Sequence, residues 1–396
     1  MTRFARLAGR LEMSPGQLRG MIAAIAAVST FAFSLSLSIP LISISLERMG
    51  ASGFLIGVNS SASAVAILAG GFVMPALLRR FSAPTLMVVG VLSMVVLLPI
   101  FPLFPDPNIW IVLRFIFGIM VTALFFCSEL WIISTAPAAR RGLMIGVYGV
   151  FLAVGFLIGP LLLKVVGTEG WTPFVVGGSL ALLALPPILI AWKDAPDLAD
   201  NADEPPGVAA ILRYVRTDPA IVFAVMLFAV IEFGAMGLFP VWSLRVGMEE
   251  QAALTLVALL AAGNIVMQAP MGWLGDKMDR RRLLGFCAFS SVVAAYLLPA
   301  LSATVWPLWI VTLIWGGLVV GLYTFSLNEL GSRYSGEKLS RATGAVMAAY
   351  GFGAFVAPTA LGFVMDLFTP HGMFWLLALL CAAYVLMLVV RRRRTG

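Results

Sequence analysis

Along most of this chain apolar residues follow one another without polar alternation. Stretches free of Asp, Glu, Lys and Arg run over 20–46, 49–78, 81–105, 142–163, 170–192, 251–275, 342–365 and 367–390. About twenty such residues cross a hydrocarbon core. The uncharged stretch 283–328 holds "LSATVWP", a turn signal that divides it into two helices. Two further runs, near 107–134 and 219–245, carry only one or two ionisable residues each. The pattern predicts helices at about 20–46, 53–78, 84–104, 107–134, 142–166, 171–192, 219–245, 252–274, 283–303, 306–332, 340–366 and 370–390. One run, "FAFSLSLSIPLISISLE", alternates serine with apolar residues as a strand would. A lone strand leaves its backbone unsatisfied in lipid, so a helix is expected there too. On that helix Ser34, Ser38 and Ser45 share a face, and Pro40 removes the hydrogen bond to the Ser36 carbonyl. A locally broken, hydroxylated helix of this kind can wall a cavity, with Ser34 and Ser38 as its polar points.

Composition narrows the class further. With 61% hydrophobic and 11% charged residues, the chain cannot cover a water-soluble surface, which takes roughly a quarter charged residues. The fold class expected is all-α and polytopic. A net charge of +7 would fit a nucleic-acid partner only if the cations lined a groove, and they do not. They cluster between apolar runs: Arg3, Arg6, Arg10 and Arg19; Arg79 and Arg80; Arg140 and Arg141; Lys193, Arg213 and Arg216; Lys277 and Arg280–Arg282; Arg333, Lys338 and Arg341; Arg391–Arg394. Only Arg48, Lys164 and Arg245 fall on the other side, and Arg114 lies inside a helix. The positive-inside rule then puts both termini and the 193–218 loop in the cytoplasm. The first run is too long for a cleavable leader and is followed by no small-residue cleavage pattern.

Cys127, Cys287 and Cys381 sit within apolar runs at no disulfide or metal spacing, so packing is their expected role. Met267 and Met271 form an M-x-x-x-M pair, read as gap-filling, and His371 is read as interfacial. No phosphate loop, nucleophile elbow or zinc spacing appears. No cofactor, metal or nucleic acid is expected, and the chain is expected to be monomeric, with lipid and a small molecule as its partners.

The polar stretch "KDAPDLADNADEPPGVAAILRYVRTD" divides the chain into residues 1–192, a linker 193–218 and residues 219–396. Within it Val208–Arg216 is amphipathic and is expected to lie on the membrane surface. The halves look like repeats. "IWIVLRFIFGIMVTALFFCSEL" is echoed, with one gap, by "LWIVTLIWGGLVVGLYTFSLNEL". Gly146, Gly155, Gly159 and Pro160 are spaced like Gly344, Gly353, Ala357 and Pro358. Two pseudo-symmetric six-helix bundles are therefore expected, an arrangement that lets one bundle rock against the other.

The stretch "GWLGDKMDRRRLLGF" carries a resemblance. Gly272, Leu274, Asp276, Lys277, Arg280 and Arg281 are similar to the signature loop of the major facilitator superfamily, with Asp279 where a second glycine is usual. The resemblance implies a gating latch in which Gly272 lets helices approach closely and Asp276 pairs with basic residues in one conformation. In the first half Gly71, Arg79 and Arg80 remain, but Pro75 replaces the acid and Leu78 the glycine, so a lopsided latch is implied. "RFIFG", Arg114 to Gly118, resembles the superfamily's buried-arginine motif associated with proton coupling. Gly146, Gly155, Gly159 and Pro160 resemble the pattern of exporters that exchange substrate for protons, with Leu163 and Lys164 replacing its closing glycines. "SELW" and "AAYGFGAFVAPTALGFVMD" add a likeness to the YcaD-like bacterial branch.

Three carboxylates lie within the predicted spans: Glu129, Glu232 and Glu329. Glu232 falls near mid-bilayer, where a carboxyl can take up and release a proton as a cavity opens to alternate sides. It is the first candidate for proton coupling and Glu129 the second, followed by Arg114 and Glu329. Arg114 and Glu129 stand about 22 Å apart along one helix, too far to pair directly. Asn264, Gln268, Tyr323 and Asn328, with Trp315 nearby, are further polar points for a cavity or for helix association. The expectation is secondary active transport of a small organic molecule by alternating access, driven by a proton gradient and directed outward. Uptake by proton symport, a non-transporting receptor and a membrane-embedded enzyme stay open at this point.

Overall fold

The computed structural model of the protein describes residues 13–137, 141–196, 214, 216–334 and 336–395. Among them are twelve helices long and apolar enough to cross a membrane. They are α1 (Pro15–Arg48), α2 (Gly53–Leu78), α3 (Ala83–Ile100), α4 (Pro107–Thr135), α5 (Arg141–Val166) and α6 (Thr172–Ile190), then α7 (Pro219–Arg245), α8 (Glu250–Lys277), α9 (Arg280–Ala300), α10 (Val305–Arg333), α11 (Gly336–Leu367) and α12 (Gly372–Thr395). The protein is an all-α, multi-pass membrane protein.

The expected spans match these helices to within a few residues, and the differences have local causes. Only Met278 and Asp279 separate α8 from α9, so the basic stretch is mostly helix rather than loop. Arg280–Arg282 thereby occupy the first turn of α9, where the helix dipole disfavours cations. The Asp279 carboxylate answers this as an N-cap, accepting from the Arg282 amide at 2.8 Å. In α6 the Pro186–Pro187 pair cannot donate to the preceding turn, and the helix tightens to a 3-10 turn at Leu182–Ala184. Of the segment Val208–Arg216, all but Tyr214 and Arg216 lies outside the described residues.

The chain divides into two compact units, Met1–Leu41 with Val65–Glu204 and Ile42–Ala64 with Pro205–Gly396. In the first unit Arg19, on the first turns of α1, pairs with Asp194 beyond α6 at 2.7 Å. That hydrogen bond holds the Asp194 carboxyl below its ordinary range. The second unit takes in the C-terminal end of α1 and the first half of α2, and glycines explain how. A Cβ on Gly57 would lie 2.7 Å from the carbonyl carbon of Pro358, so only glycine lets α2 and α11 come this close. Ser61 and Thr359 then meet hydroxyl to hydroxyl at 2.8 Å.

Both units reuse one small-residue contact. A Cβ on Gly155 of α5 would sit 2.6 Å from the Ser29 carbonyl oxygen of α1, and one on Gly353 of α11 would sit 2.5 Å from that of Met226 on α7. Gly159 is equally close to Ser36, whose hydroxyl also donates to the Gly155 carbonyl at 3.1 Å. Pro160 follows, buried inside α5. Gly146 does not share this role: a Cβ there would meet nothing within 4 Å, because it lies on an open face of α5 while Met144 and Tyr148 on another face are buried. The ends of α1 and α7 are also alike. Gly50 (φ 76°) and Gly247 (φ 83°) adopt the left-handed conformation that closes a helix. The Ala51 and Met248 amides reach back to Leu46 and Ser243.

Candidate functional site

Glu232 lies midway along α7 and is half-buried. The Tyr350 hydroxyl of α11 donates to its Oε2 at 2.6 Å. This pairing follows from the α7–α11 contact. Ala342, Val346 and Ala349 pack on Ile221, Val222 and Val225, and Gly353 closes the gap beyond them. Helical spacing puts Tyr350 beside that stripe, where it can reach the carboxylate. Around the pair the rings form a continuous cluster. Phe228 lies 5.3 Å from Tyr323 and 6.1 Å from Tyr350, Phe233 meets Tyr350 edge-on at 6.1 Å, and Tyr323 and Tyr350 are 6.3 Å apart. The Tyr323 hydroxyl points to the Met347 sulfur at 3.9 Å. Among the described residues no lysine or arginine bonds to Glu232, and no donor meets its Oε1.

Of the other expected cavity residues, only Tyr323 joins Glu232. Asn264 on α8 is half-buried and Gln268 exposed. Asn328 sits at the α8–α10 contact, where a Cβ on Gly275 would come 3.2 Å from its Nδ2. Four candidates belong to the other unit. The buried Ser34 donates to the Phe31 carbonyl at 2.7 Å, within its own helix. Arg114 is 1% exposed and donates to the Ser38 carbonyl at 3.0 Å, two residues before Pro40. It thus braces α1 where the proline interrupts the backbone ladder, instead of reaching a membrane surface. Glu129 is exposed, beside a Ser128–Tyr148 hydroxyl pair at 2.9 Å.

Glu329 belongs to a different constellation, at the ends of α8, α9 and α10. Arg280 pairs with it at 3.4 Å and also donates to the Gly275 carbonyl at 3.1 Å, the Asn328 carbonyl at 3.2 Å and the Ser332 hydroxyl at 2.7 Å. Arg333 pairs with both Glu329 and Asp218, and the Tyr334 hydroxyl donates to Asp218. That hydrogen bond pushes the Tyr334 phenol up to about 12. In the signature stretch Lys277 stands over the Trp273 ring at 4.1 Å, and Arg281 is exposed. The Asp276 side chain is outside those described. Gly272 needs correction: a Cβ there would meet nothing within 4 Å, so close approach is not its role. Gly275 has that role instead, facing Phe325 at 2.9 Å.

Sequence reading missed Tyr350, and it missed a second charged cluster at the opposite helix ends of this unit. Arg245 grips Glu47 with two bonds of 2.8 Å and Asp366 with one of 2.9 Å. Asp366 also accepts the Gly53 and Phe54 amides, each at 2.8 Å, and so caps α2. Arg48 pairs with Glu250 nearby. The available signal was the bunching of charge at helix ends on the side otherwise poor in cations.

The chain matches the family model described as Major Facilitator Superfamily over residues 22–267 and 250–396. The uncharacterized MFS-type transporter YfkF of Bacillus subtilis (strain 168) is 26% identical over 383 residues, covering 93% of this chain and 94% of the relative. The uncharacterized MFS-type transporter YcaD of Escherichia coli O139:H28 (strain E24377A / ETEC) is 23% identical over 282 residues, covering 71% and 72%. Among solved structures, the nucleoside transporter NupG superposes with a TM-score of 0.72 at 13% identity, covering 95% of this chain and 99% of that one. A D-xylose-proton symporter gives 0.71 at 14% identity, covering 93% and 96%. At these identities the likeness to solved structures is one of fold.

Proposed function

This chain belongs to the Major Facilitator Superfamily, and from that premise we propose that it exports a small organic molecule across a bacterial inner membrane in exchange for protons. Membership makes it a transporter rather than an enzyme. The finer reading rests on one observation: a carboxyl at mid-helix, Glu232, held by the Tyr350 hydroxyl and bonded to no basic side chain among the described residues. A carboxylate in low dielectric is costly unless a proton or a ligand neutralises it. Glu232 therefore exchanges protons as access alternates, with Tyr350 and Tyr323 as the other titratable groups of its cluster. Outward direction is supported by the Gly155–Gly159–Pro160 pattern, and cytoplasmic termini by the distribution of arginines. Arg114 supports coupling by bracing α1 rather than by carrying the proton. The proton gradient is the energy source, and no cofactor takes part.

Reconstitution into liposomes with an entrapped pH indicator tests this. Compounds that raise the thermal stability of the purified protein are added under a substrate gradient, and proton movement is followed. Countermovement of protons is expected with wild type. Glu232→Gln is expected to stay monodisperse and to lose that movement. Unchanged proton flux in Glu232→Gln would remove Glu232 from the mechanism, and co-directional flux would reverse the assigned direction.

A further inference from the structure

We propose that the face of the second unit around Glu232 binds a monovalent organic cation with a bulky apolar or aromatic body. Its charge is held by Glu232 Oε1 and its body lies against the rings of Phe228, Tyr323 and Tyr350. This deepens the transport reading and rests on it for the step that follows binding.

Charge comes first. The lysine and arginine side chains of this unit whose partners are given above serve other groups: Arg245 holds Glu47 and Asp366, Arg280 and Arg333 hold Glu329 and Asp218, and Lys277 covers Trp273. Tyr350 supplies a single hydrogen bond, and it goes to Oε2. Among the described residues one carboxylate oxygen and one negative charge are thus left for something else to complete. A ligand with a fixed positive charge does so, and an anion is repelled.

The surroundings select the rest of the ligand. Four rings lie within 5.3–6.3 Å of a neighbouring ring, with the Met347 thioether beside them. Ring faces carry partial negative charge, so they favour a cation placed within about 6 Å of a centroid. They also favour flat apolar bulk, and methionine adapts to irregular outlines. A polyhydroxylated ligand would need several fixed donors and acceptors here. Among the described residues the cluster provides Glu232 and two phenols, and both phenols already have partners.

The test uses the purified full-length protein in detergent with two probes of one shape and opposite charge, tetraphenylphosphonium and tetraphenylborate. Equilibrium binding is expected for the phosphonium alone. Glu232→Gln is expected to weaken it at least tenfold. Tyr323→Leu, which keeps the carboxylate and removes a ring, should weaken it several-fold. Equal binding of both probes would overturn the proposal, as would wild-type affinity in Glu232→Gln and Tyr323→Leu. The wild-type comparison needs no variant to fold. Failure here is distinct from failure of the transport reading: Glu232-dependent proton flux with another cargo and no phosphonium binding would sink only the cation assignment. Charge-selective phosphonium binding without proton flux would sink only the coupling.

Discussion

Asp366→Asn is the sharpest perturbation of the second unit, because it changes one charge and almost no volume. The carboxylate accepts the Gly53 and Phe54 amides at the start of α2 and the Arg245 guanidinium, at 2.8, 2.8 and 2.9 Å. An asparagine keeps one acceptor and turns the other into a donor, which faces an amide N–H or the guanidinium. Loss of anionic capping costs about 0.5–1 kcal/mol. The ion pair contributes about 1–2 kcal/mol more. Side-chain exposures of 20% for Arg245, 21% for Glu47 and 27% for Asp366 keep these groups short of the full screening of surface pairs. The segment 42–64 should therefore be held more weakly by about 1.5–3 kcal/mol, roughly a 10- to 150-fold change in its docking equilibrium. Ser61 reports on that equilibrium, since it is buried and bonded to Thr359. In detergent, a Ser61→Cys probe should react with a maleimide faster by a factor in that range when Asp366→Asn is added. Ala303→Cys, exposed in the turn before α10, should react at an unchanged rate. The native cysteines are buried and give a low background. An unchanged Ser61→Cys rate would refute the claim that Asp366 fastens α2 to this unit.

Two further substitutions probe the scaffold. Gly155→Ala should lower thermal stability by about 1–3 kcal/mol, since its methyl group must displace the Ser29 backbone, whereas Gly146→Ala, facing open space, should be neutral or slightly stabilising. Equal melting shifts for the two would contradict the packing assigned to α5. Arg280→Lys keeps the charge but cannot span the Gly275 and Asn328 carbonyls, the Ser332 hydroxyl and Glu329 together. Its melting temperature should fall, and protease cutting between α10 and α11 should accelerate. Wild-type behaviour on both measures would show that charge alone suffices at this position.

Span positions were legible because lipid imposes one requirement on every crossing segment: enough apolar residues in an internally bonded helix. The helix ends were less so. The first turn of α9 reads as loop because its arginines look incompatible with a span, and only the Asp279 cap shows how they are accommodated. Glu232 was legible for the same reason, as an ionisable group without precedent along its own helix. Its partner was not. Tyr350 lies on α11, in the run "AAYGFGAF", and nothing in a single tyrosine states which neighbour it faces. Asp366 and Glu47 pose the same difficulty, because the pairing with Arg245 depends on how α1, α7 and α11 pack. Gly146 and Gly272 fail in the opposite direction. Their spacing fits a motif, yet spacing does not say whether another helix is close enough to need a glycine.

The two repeats separate scaffold from chemistry. Gly155 meets Ser29 and Ala32 as Gly353 meets Met226 and Ala229, so the α5–α1 and α11–α7 contacts are one design used twice. Carrying that correspondence along the helices sets Glu232 opposite Leu35, and Tyr350 opposite Leu152. Counting back from Glu329 and Glu129 sets Tyr323 opposite Ala123. Every polar member of the Glu232 cluster is therefore apolar in the other repeat, while the small residues that set helix distance are kept. The first repeat instead buries Arg114 against the Ser38 carbonyl, where its charge steadies α1 beside Pro40. If the repeats arose from one ancestor, packing constrained both copies and the chemistry became concentrated in one. Installing Glu in place of Leu35 should then destabilise the first unit without creating a second site, because no tyrosine stands at 152 or 123 to satisfy it. Leu35 is 3% exposed, so the Leu35→Glu variant should lose several degrees in melting temperature while its phosphonium stoichiometry stays as in wild type. A doubled stoichiometry would show that the scaffold alone makes the site.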